Sequence, residues 1–464
     1  MNVSYSAAEL ADWTVGEWTP APPDAVTGCS HDTRSLQPGQ VYVALRGEQF
    51  DGHDFLDDAF RRGAAGAVVA AEYAGCPSPD RPLLRVADTA RALRDAAAAY
   101  RHKLNPHVIA VTGSVGKTTV KEITARIVAE KGPTARTLGN WNNDVGLPLS
   151  LLAMPSDTRY GVFEVGMNHP GEIERLCRIV RPDWGIVTNV GPVHMEFFKS
   201  IEDIAEEKSA LLRALPPDGL AVLNRDGGFS DVLCRAAPGR VVTVSRRGNA
   251  DYICTARRPE SMEIDVLETL SGETRTLHLS SIAEHYAANT LLGVAIGRAL
   301  SLDWDRIQAA LTQVAPLPMR GAPSRVAGVY VVNDAYNANP LGMRASIRAF
   351  AEEYADRDRW LLLGDMRELG RIERDQHLDL GAFVAEGDWA GLMVLGDLGA
   401  LIAEGAEAAG MEPERIFRCR THNEAAETAK ARLSPGDALL LKASRGLHLE
   451  NVLRFMHASE GEET

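Results

Sequence analysis

The chain has 464 residues, 45% of them hydrophobic, and a formal net charge of −14 at pH 7. That length leaves room for about three domains, each with its own core. The acidic balance argues against non-specific binding to nucleic acid, and the absence of any apolar run of about 18 residues or of a basic, apolar leader excludes membrane insertion, so a cytoplasmic protein is expected.

In chain order, residues 1–104 hold short apolar strands at 41–45 and 67–70 and an Ala/Arg-rich helical stretch at 89–102. Asn105-Pro106 breaks that helix, because the residue before a proline disfavours helical backbone. Residues 105–316 alternate strands at 108–111, 161–165, 185–190 and 220–223 with helical patterns, including 201–215, 286–300 and 304–314. Such alternation predicts a parallel sheet covered by helices. Pro316-Leu317-Pro318 reads as a hinge. Residues 317–464 repeat the alternation, with strands at 329–332, 360–363, 392–395, 416–418 and 439–441. The class is therefore α/β in three domains: a smaller N-terminal domain, a central P-loop-type sheet and a C-terminal Rossmann-like sheet. The acidic tail at 460–463 is expected to be disordered. Six cysteines, at 29, 76, 177, 234, 254 and 419, form no C-x-x-C pair and read as reduced thiols.

The first chemical signal follows the apolar run 108–111. There Thr112-Gly113-Ser114-Val115-Gly116-Lys117-Thr118-Thr119 makes a small-residue turn opening an amphipathic helix. Backbone N–H groups of such a loop and the helix N-terminus can wrap phosphates. Lys117 adds positive charge and Thr118 a hydroxyl suited to Mg²⁺. Val111 stands where the longer form of this motif has its first glycine.

Four other places could carry chemistry. Glu164 is a carboxylate inside an apolar strand, which fits either a Mg²⁺ ligand or a buried ion pair. His194 lies in a loop beyond the strand 185–190, a position open to a functional or a solvated histidine. Lys208 sits in the apolar stripe of the helix 201–215, four residues after Ile204 and four before Leu212. Partial burial would favour its neutral amine, which can take up CO₂ as a carbamate; a snorkelling lysine is the plainer alternative. Asn140, Asn142 and Asn143 can bind carbonyls or sugars, or simply cap a turn. The stretch 333–340 puts Tyr336 among asparagines, suited to stacking on a base or to a plain strand-to-helix turn.

Taken together these motifs resemble the Mur ligase family of ATP-dependent amide-bond-forming enzymes, in the right order and over nearly the whole chain. Thr-Asn-Val-Gly-Pro-Val-His at 188–194 followed by Ile-Ala-Glu-Glu-Lys at 204–208 is specific to that pattern. The run Asp32-Thr33-Arg34, with Asp51-Gly52-His53, is similar to the family's UDP-sugar-binding domain. The resemblance implies two Mg²⁺ ions held by Thr118, Glu164, His194 and a carbamylated Lys208, with Lys117, Asn289 and Arg320 on the nucleotide or acyl phosphate. It also implies Asn337 and Asp365 on the base or ribose, and Asp32, Thr33, Arg34, Asn140, Asn142 and Asn143 on the UDP-linked substrate.

Tyr336-Asn337-Ala338-Asn339-Pro340 and the run 363–370 point to the branch that joins D-alanyl-D-alanine to UDP-N-acetylmuramoyl-tripeptide in peptidoglycan precursor synthesis, as a monomer. Addition of a single amino acid is the alternative, and a nucleotide-switched binding protein or an inactive scaffold are more distant ones. Ala443 stands where the family often has glycine. The prolines at 316–318 suggest a third domain that closes over the nucleotide; an open form would leave its residues too far from the loop 113–119 for catalysis.

Overall fold

The computed structural model describes residues 3–75, 80–281, 283–315 and 317–457. The chain builds three sheets, over residues 17–86, 107–278 and 322–442, of five, nine and six strands. In the central sheet the strand His107–Thr112 lies between Tyr160–Glu164 and Trp184–Val187, parallel to both. Its residues from Val108 to Thr112 are all buried, as expected of a strand covered on both faces. The register sets Val111 beside Glu164, so the phosphate loop and this carboxylate leave the sheet at one edge. Helices Lys117–Ala129 and Glu284–Ala299 pack together on the sheet through Ile123, Ile127, Leu291 and Ile296.

The strand expected at 185–190 ends at Val187. Beyond it Thr188 and Asn189 turn to the phosphate loop, both donating to Val115 O, at 2.6 and 3.0 Å. The central sheet is not wholly parallel: Glu263–Glu268 pairs antiparallel with Tyr252–Arg258 and with Glu273–His278. The sequence reading passed over these strands. Yet Ile264 and Val266 are buried between charged neighbours, which is the alternation of a half-buried strand. The third sheet likewise gains an antiparallel edge, Ala322–Val326, which is charged and contains proline, as edge strands tend to be.

Pro316, Cys76 and the acidic tail lie outside the described residues. The other five cysteines are free thiols. Among the described residues no helix is long and apolar enough to cross a membrane.

The third domain lies against the central one in this structure. Its residues Arg320, Tyr336, Asn337 and Lys442 share a cleft with the phosphate loop. Arg257 reaches from the central sheet to Glu352 at 2.7 Å, and His194 meets Glu368 at 2.5 Å. These two contacts hold the two domains together around the cleft.

Candidate active site

The loop between the strand His107–Thr112 and the helix Lys117–Ala129 needs both of its glycines. Gly113 has φ +150, and a Cβ there would stand 1.9 Å from Thr188 Oγ1. Gly116 has φ +84, and its Cβ would stand 2.8 Å from Asn289 Oδ1, so only glycine allows this approach. Ser114 Oγ donates to Gly191 O at 3.0 Å and accepts from Gly191 N at 2.9 Å. Lys117 folds back so that Nζ donates to Gly113 O at 2.8 Å. Burial lowers its pKa; Glu164 pulls it back up less strongly, and the nearby Arg320 charge adds a smaller downward push.

Glu164, only 1% exposed, accepts from Thr118 Oγ1 at 2.8 Å and from Asn142 Nδ2 at 2.7 Å. Its own N–H donates to Thr137 Oγ1 at 2.7 Å. A buried carboxylate whose hydrogen-bond partners are all neutral, beside a helix N-terminus hydroxyl, fits a bound cation. Among the described residues no group of three or more His, Cys, Asp or Glu forms a cage. That suits Mg²⁺, which takes one or two carboxylates and completes its shell from phosphates and water.

Lys208 is buried on the helix Ile201–Arg213, where its Nζ lies 3.9 Å from the soft Met167 Sδ. Burial, reinforced by Lys117, drives its pKa well down, and Glu207 opposes this weakly. Among the described residues no hydrogen bond joins Lys208 to His194, whose Nδ1 lies 2.5 Å from Glu368 Oε2. Asn289 is buried on the helix Glu284–Ala299 beside Gly116. Arg320 lies 3.9 Å over the Tyr336 ring. Asn337 Oδ1 accepts from Ala338 N at 2.9 Å.

Asn143 Oδ1 accepts from Gly146 N at 2.8 Å, fixing the turn before the helix Gly146–Leu152; Asn143 lines the cleft together with Asn140 and Asn142. Asp365 is placed differently from its neighbours in the prediction. Its Oδ1 accepts from Leu398 N and Gly399 N at 3.1 and 2.9 Å, at the start of the helix Gly399–Ala408. The carboxylate is thus engaged with a helix N-terminus, and Asp365 is not among the cleft-lining residues. In the first domain Asp32 is bound by Arg34, which holds its pKa down to about 2. His31, beside that pair, reaches the cleft wall, its ring 5.8 Å from Trp141, while Thr33 is buried.

The cleft, about 830 Å³, is thus lined from all three domains. A smaller cavity of about 140 Å³ opens from it, sharing His285, Arg320, Asp334 and Ser346 and walled by Tyr286, Leu317 and Phe350.

Three family models match the chain in order. They are the Mur ligase family catalytic domain over residues 25–101, the Mur ligase middle domain over 111–297, and the Mur ligase glutamate ligase domain over 321–445. The chain belongs to the Mur ligase family. This Mur ligase is similar to UDP-N-acetylmuramoyl-tripeptide--D-alanyl-D-alanine ligase of Bacillus subtilis strain 168, with 33% identity over 92% of this chain and 93% of the relative. The enzyme of the same name from Escherichia coli K12 is 35% identical over 82% of this chain and 83% of its own. Among solved structures, crystal structure I of MurF from Acinetobacter baumannii matches with a TM-score of 0.85 and 28% identity, covering 98% of this chain and 100% of that one. The MurF ligase of Thermotoga maritima in complex with ADP gives 0.80 and 27%, over 95% and 99%.

Three residues of this Mur ligase site escaped the sequence reading. Lys121 is fully buried, donating to Thr137 O and Gly139 O at 3.0 and 2.9 Å and pairing with Glu122 at 2.8 Å. It ties the phosphate-loop helix to the segment that carries Asn142. Its signal was a lysine on the buried face of a helix, the same one that marked Lys208. Asp334 meets Lys442 Nζ at 2.5 Å and Ser346 Oγ at 2.5 Å inside the cleft. Glu368 comes from the third domain to His194.

Proposed function

We propose that this Mur ligase joins D-alanyl-D-alanine to UDP-N-acetylmuramoyl-tripeptide at the expense of ATP, in cytoplasmic peptidoglycan precursor synthesis, acting as a monomer. One observation carries the reading: a phosphate loop, cations of a closing domain and a wall of the first domain face a single cleft. In this scheme residues 1–104 bind the UDP moiety, 105–316 bind ATP, and 317–464 close over both and receive the dipeptide.

The reaction has two steps. The terminal carboxylate of the tripeptide attacks the γ-phosphorus of ATP, giving an acyl phosphate and ADP. The dipeptide amine then attacks the acyl carbon, and the tetrahedral intermediate expels phosphate as the amine loses its proton. No covalent nucleophile on the protein is needed; the chain's part is to position the reactants and to balance charge.

Backbone N–H groups of residues 113–119 and the Lys117 ammonium hold the β- and γ-phosphates. Arg320 bears on the transferring phosphoryl group and Asn289 on the nucleotide beside Gly116. Thr118 and Glu164 would hold one Mg²⁺, and His194 with Lys208 a second; bound there, the metal neutralises phosphate oxygens. The neutral Lys208 amine can add to CO₂ with loss of one proton, giving a carbamate whose oxygens suit Mg²⁺. The small cavity walled by Tyr286, Leu317 and Phe350 receives the nucleobase, with Asp334 at the ribose and Asn337 on the phosphate side. Asp365 acts indirectly, by tying the end of the strand Arg359–Gly364 to the start of the helix Gly399–Ala408. Asn140, Asn142 and Asn143 face the substrate's peptide, and Asp32, Thr33 and Arg34 belong to the UDP end. Closure keeps water from the acyl phosphate.

The test is phosphate release from ATP with UDP-N-acetylmuramoyl-tripeptide and either D-alanyl-D-alanine or single amino acids. Release requiring the tripeptide and the dipeptide together, with a pentapeptide product by mass, is expected. Turnover with a single amino acid would move the enzyme to another step of the same family.

A further inference from the structure

The loop carrying His194 is gripped from the third domain. Glu368 Oε2 lies 2.5 Å from His194 Nδ1, and the Glu196 N–H donates to Glu368 O at 3.2 Å. The Arg371 guanidinium donates to Lys199 O. Gly370 approaches so closely that a Cβ on it would stand 2.9 Å from Glu196 Cα. Both partners of the central contact hold left-handed backbone, His194 at φ 54 and Glu368 at φ 64. Non-glycine residues adopt that conformation at a cost, and it persists where surrounding contacts enforce it.

On the reading of His194 as a metal ligand, we infer that Glu368 is a positioning residue that readies this histidine only when the third domain is closed. A carboxylate accepting from Nδ1–H fixes the tautomer and the ring plane. The lone pair is then on Nε2, the nitrogen left for a cation. His194 and Glu368 both line the cleft, and they are 174 residues apart, on different domains. When the third domain swings away, the imidazole loses its orienting partner. Closure and cation binding at His194 are therefore coupled, and the coupling is reciprocal: cation bound there favours closure to the same extent. Premature acyl-phosphate formation in an open, wet cleft is thereby disfavoured.

The experiment measures Mn²⁺ binding by electron paramagnetic resonance in the full chain with ADP, where no turnover occurs, and the radius of gyration by small-angle scattering on the same samples. The variants are Glu368→Ala, Glu368→Gln, His194→Ala and the His194→Ala/Glu368→Ala double variant. Glu368 is half exposed at the interface, and Glu368→Gln keeps an acceptor of the same shape. The expected result is about tenfold weaker Mn²⁺ binding in Glu368→Ala, a smaller loss in Glu368→Gln, and a larger radius of gyration in Glu368→Ala. The double variant should bind no worse than His194→Ala alone. If His194→Ala weakens Mn²⁺ binding but Glu368→Ala does not, or if the two losses add, the inference fails while the ligand reading stands. If His194→Ala leaves Mn²⁺ binding unchanged, the ligand reading itself fails and the inference falls with it.

Discussion

Replacing Lys121 by methionine tests whether the phosphate-loop helix and the substrate-facing segment are held together by one buried charge. Methionine keeps the length of the side chain and removes its donors. The Thr137 and Gly139 carbonyls, now 3.0 and 2.9 Å from Nζ, lose their partner, at about 1–3 kcal/mol each. Glu122 keeps Arg136 at 2.9 Å, so its share of the loss is smaller. The total is about 3–5 kcal/mol, the range for breaking a buried ion pair by deleting one side. Urea denaturation followed by tryptophan fluorescence reads this through Trp141 and Trp184, both in the central domain. Lys121→Arg should recover part of the loss. An unfolding free energy for Lys121→Met within about 0.5 kcal/mol of the parent protein would refute the clamp, since ordinary surface changes stay within that size.

His377 accepts from Met366 N at 2.9 Å through Nε2 and meets Glu373 O at 2.6 Å through Nδ1, and burial lowers its pKa below the ordinary histidine value. As pH falls through about 6.5 the unfolded chain takes up a proton that the native chain refuses, so stability falls toward acid by up to about 1.4 kcal/mol per pH unit. The denaturation midpoint should therefore drop between pH 7 and pH 5 and drop less in His377→Gln; equal slopes would contradict this. Gly113→Ala meets Thr188 Oγ1 at 1.9 Å in left-handed backbone. Strain of about 1–3 kcal/mol on top of that clash should weaken ADP binding at least about tenfold by calorimetry, and an unchanged affinity would count against the loop geometry. Burial raises the Cys29 thiol to about 11 and Cys177 to about 12. At pH 8 at most about one Cys29 in a thousand is thiolate. Mass spectrometry should find both alkylated far more slowly in native than in urea-unfolded protein.

The phosphate loop was legible because its signals are local: an apolar strand, two glycines, a lysine and a helix follow one another within a dozen or so residues. Glu164 was legible as a carboxylate misplaced in an apolar strand. What the chain order hides is the pairing that sets the strand ending in Glu164 beside the one feeding the loop. Glu368 was hidden for a related reason, its partner being 174 residues away. For Asp365 the fold adds partners that the chain order hides: a strand ending in Leu-Gly-Asp points toward a ligand, and Oδ1 of this carboxylate also accepts from the N–H groups of Leu398 and Gly399. The antiparallel strands of the central sheet were passed over because their exposed faces are charged, although the buried alternates were there to read.

Charge balance explains why this acidic chain can still gather a polyphosphate. Four cations line the cleft: Lys117, Arg320, Lys442 and Arg445. Lys442 is matched by Asp334 and Arg445 by Glu450, each at 2.5 Å. Lys117 and Arg320 make no ion pair among the described residues; one bonds to a carbonyl and the other lies over an aromatic ring. They belong to different domains, and the Arg320 charge adds a small part to the lowering of the Lys117 pKa, which burial dominates. Anionic phosphate placed between them turns that repulsion into attraction. The proposed closure over a nucleotide would therefore be favoured by these two groups, while the remaining cations, already paired, are left to shape the cleft wall.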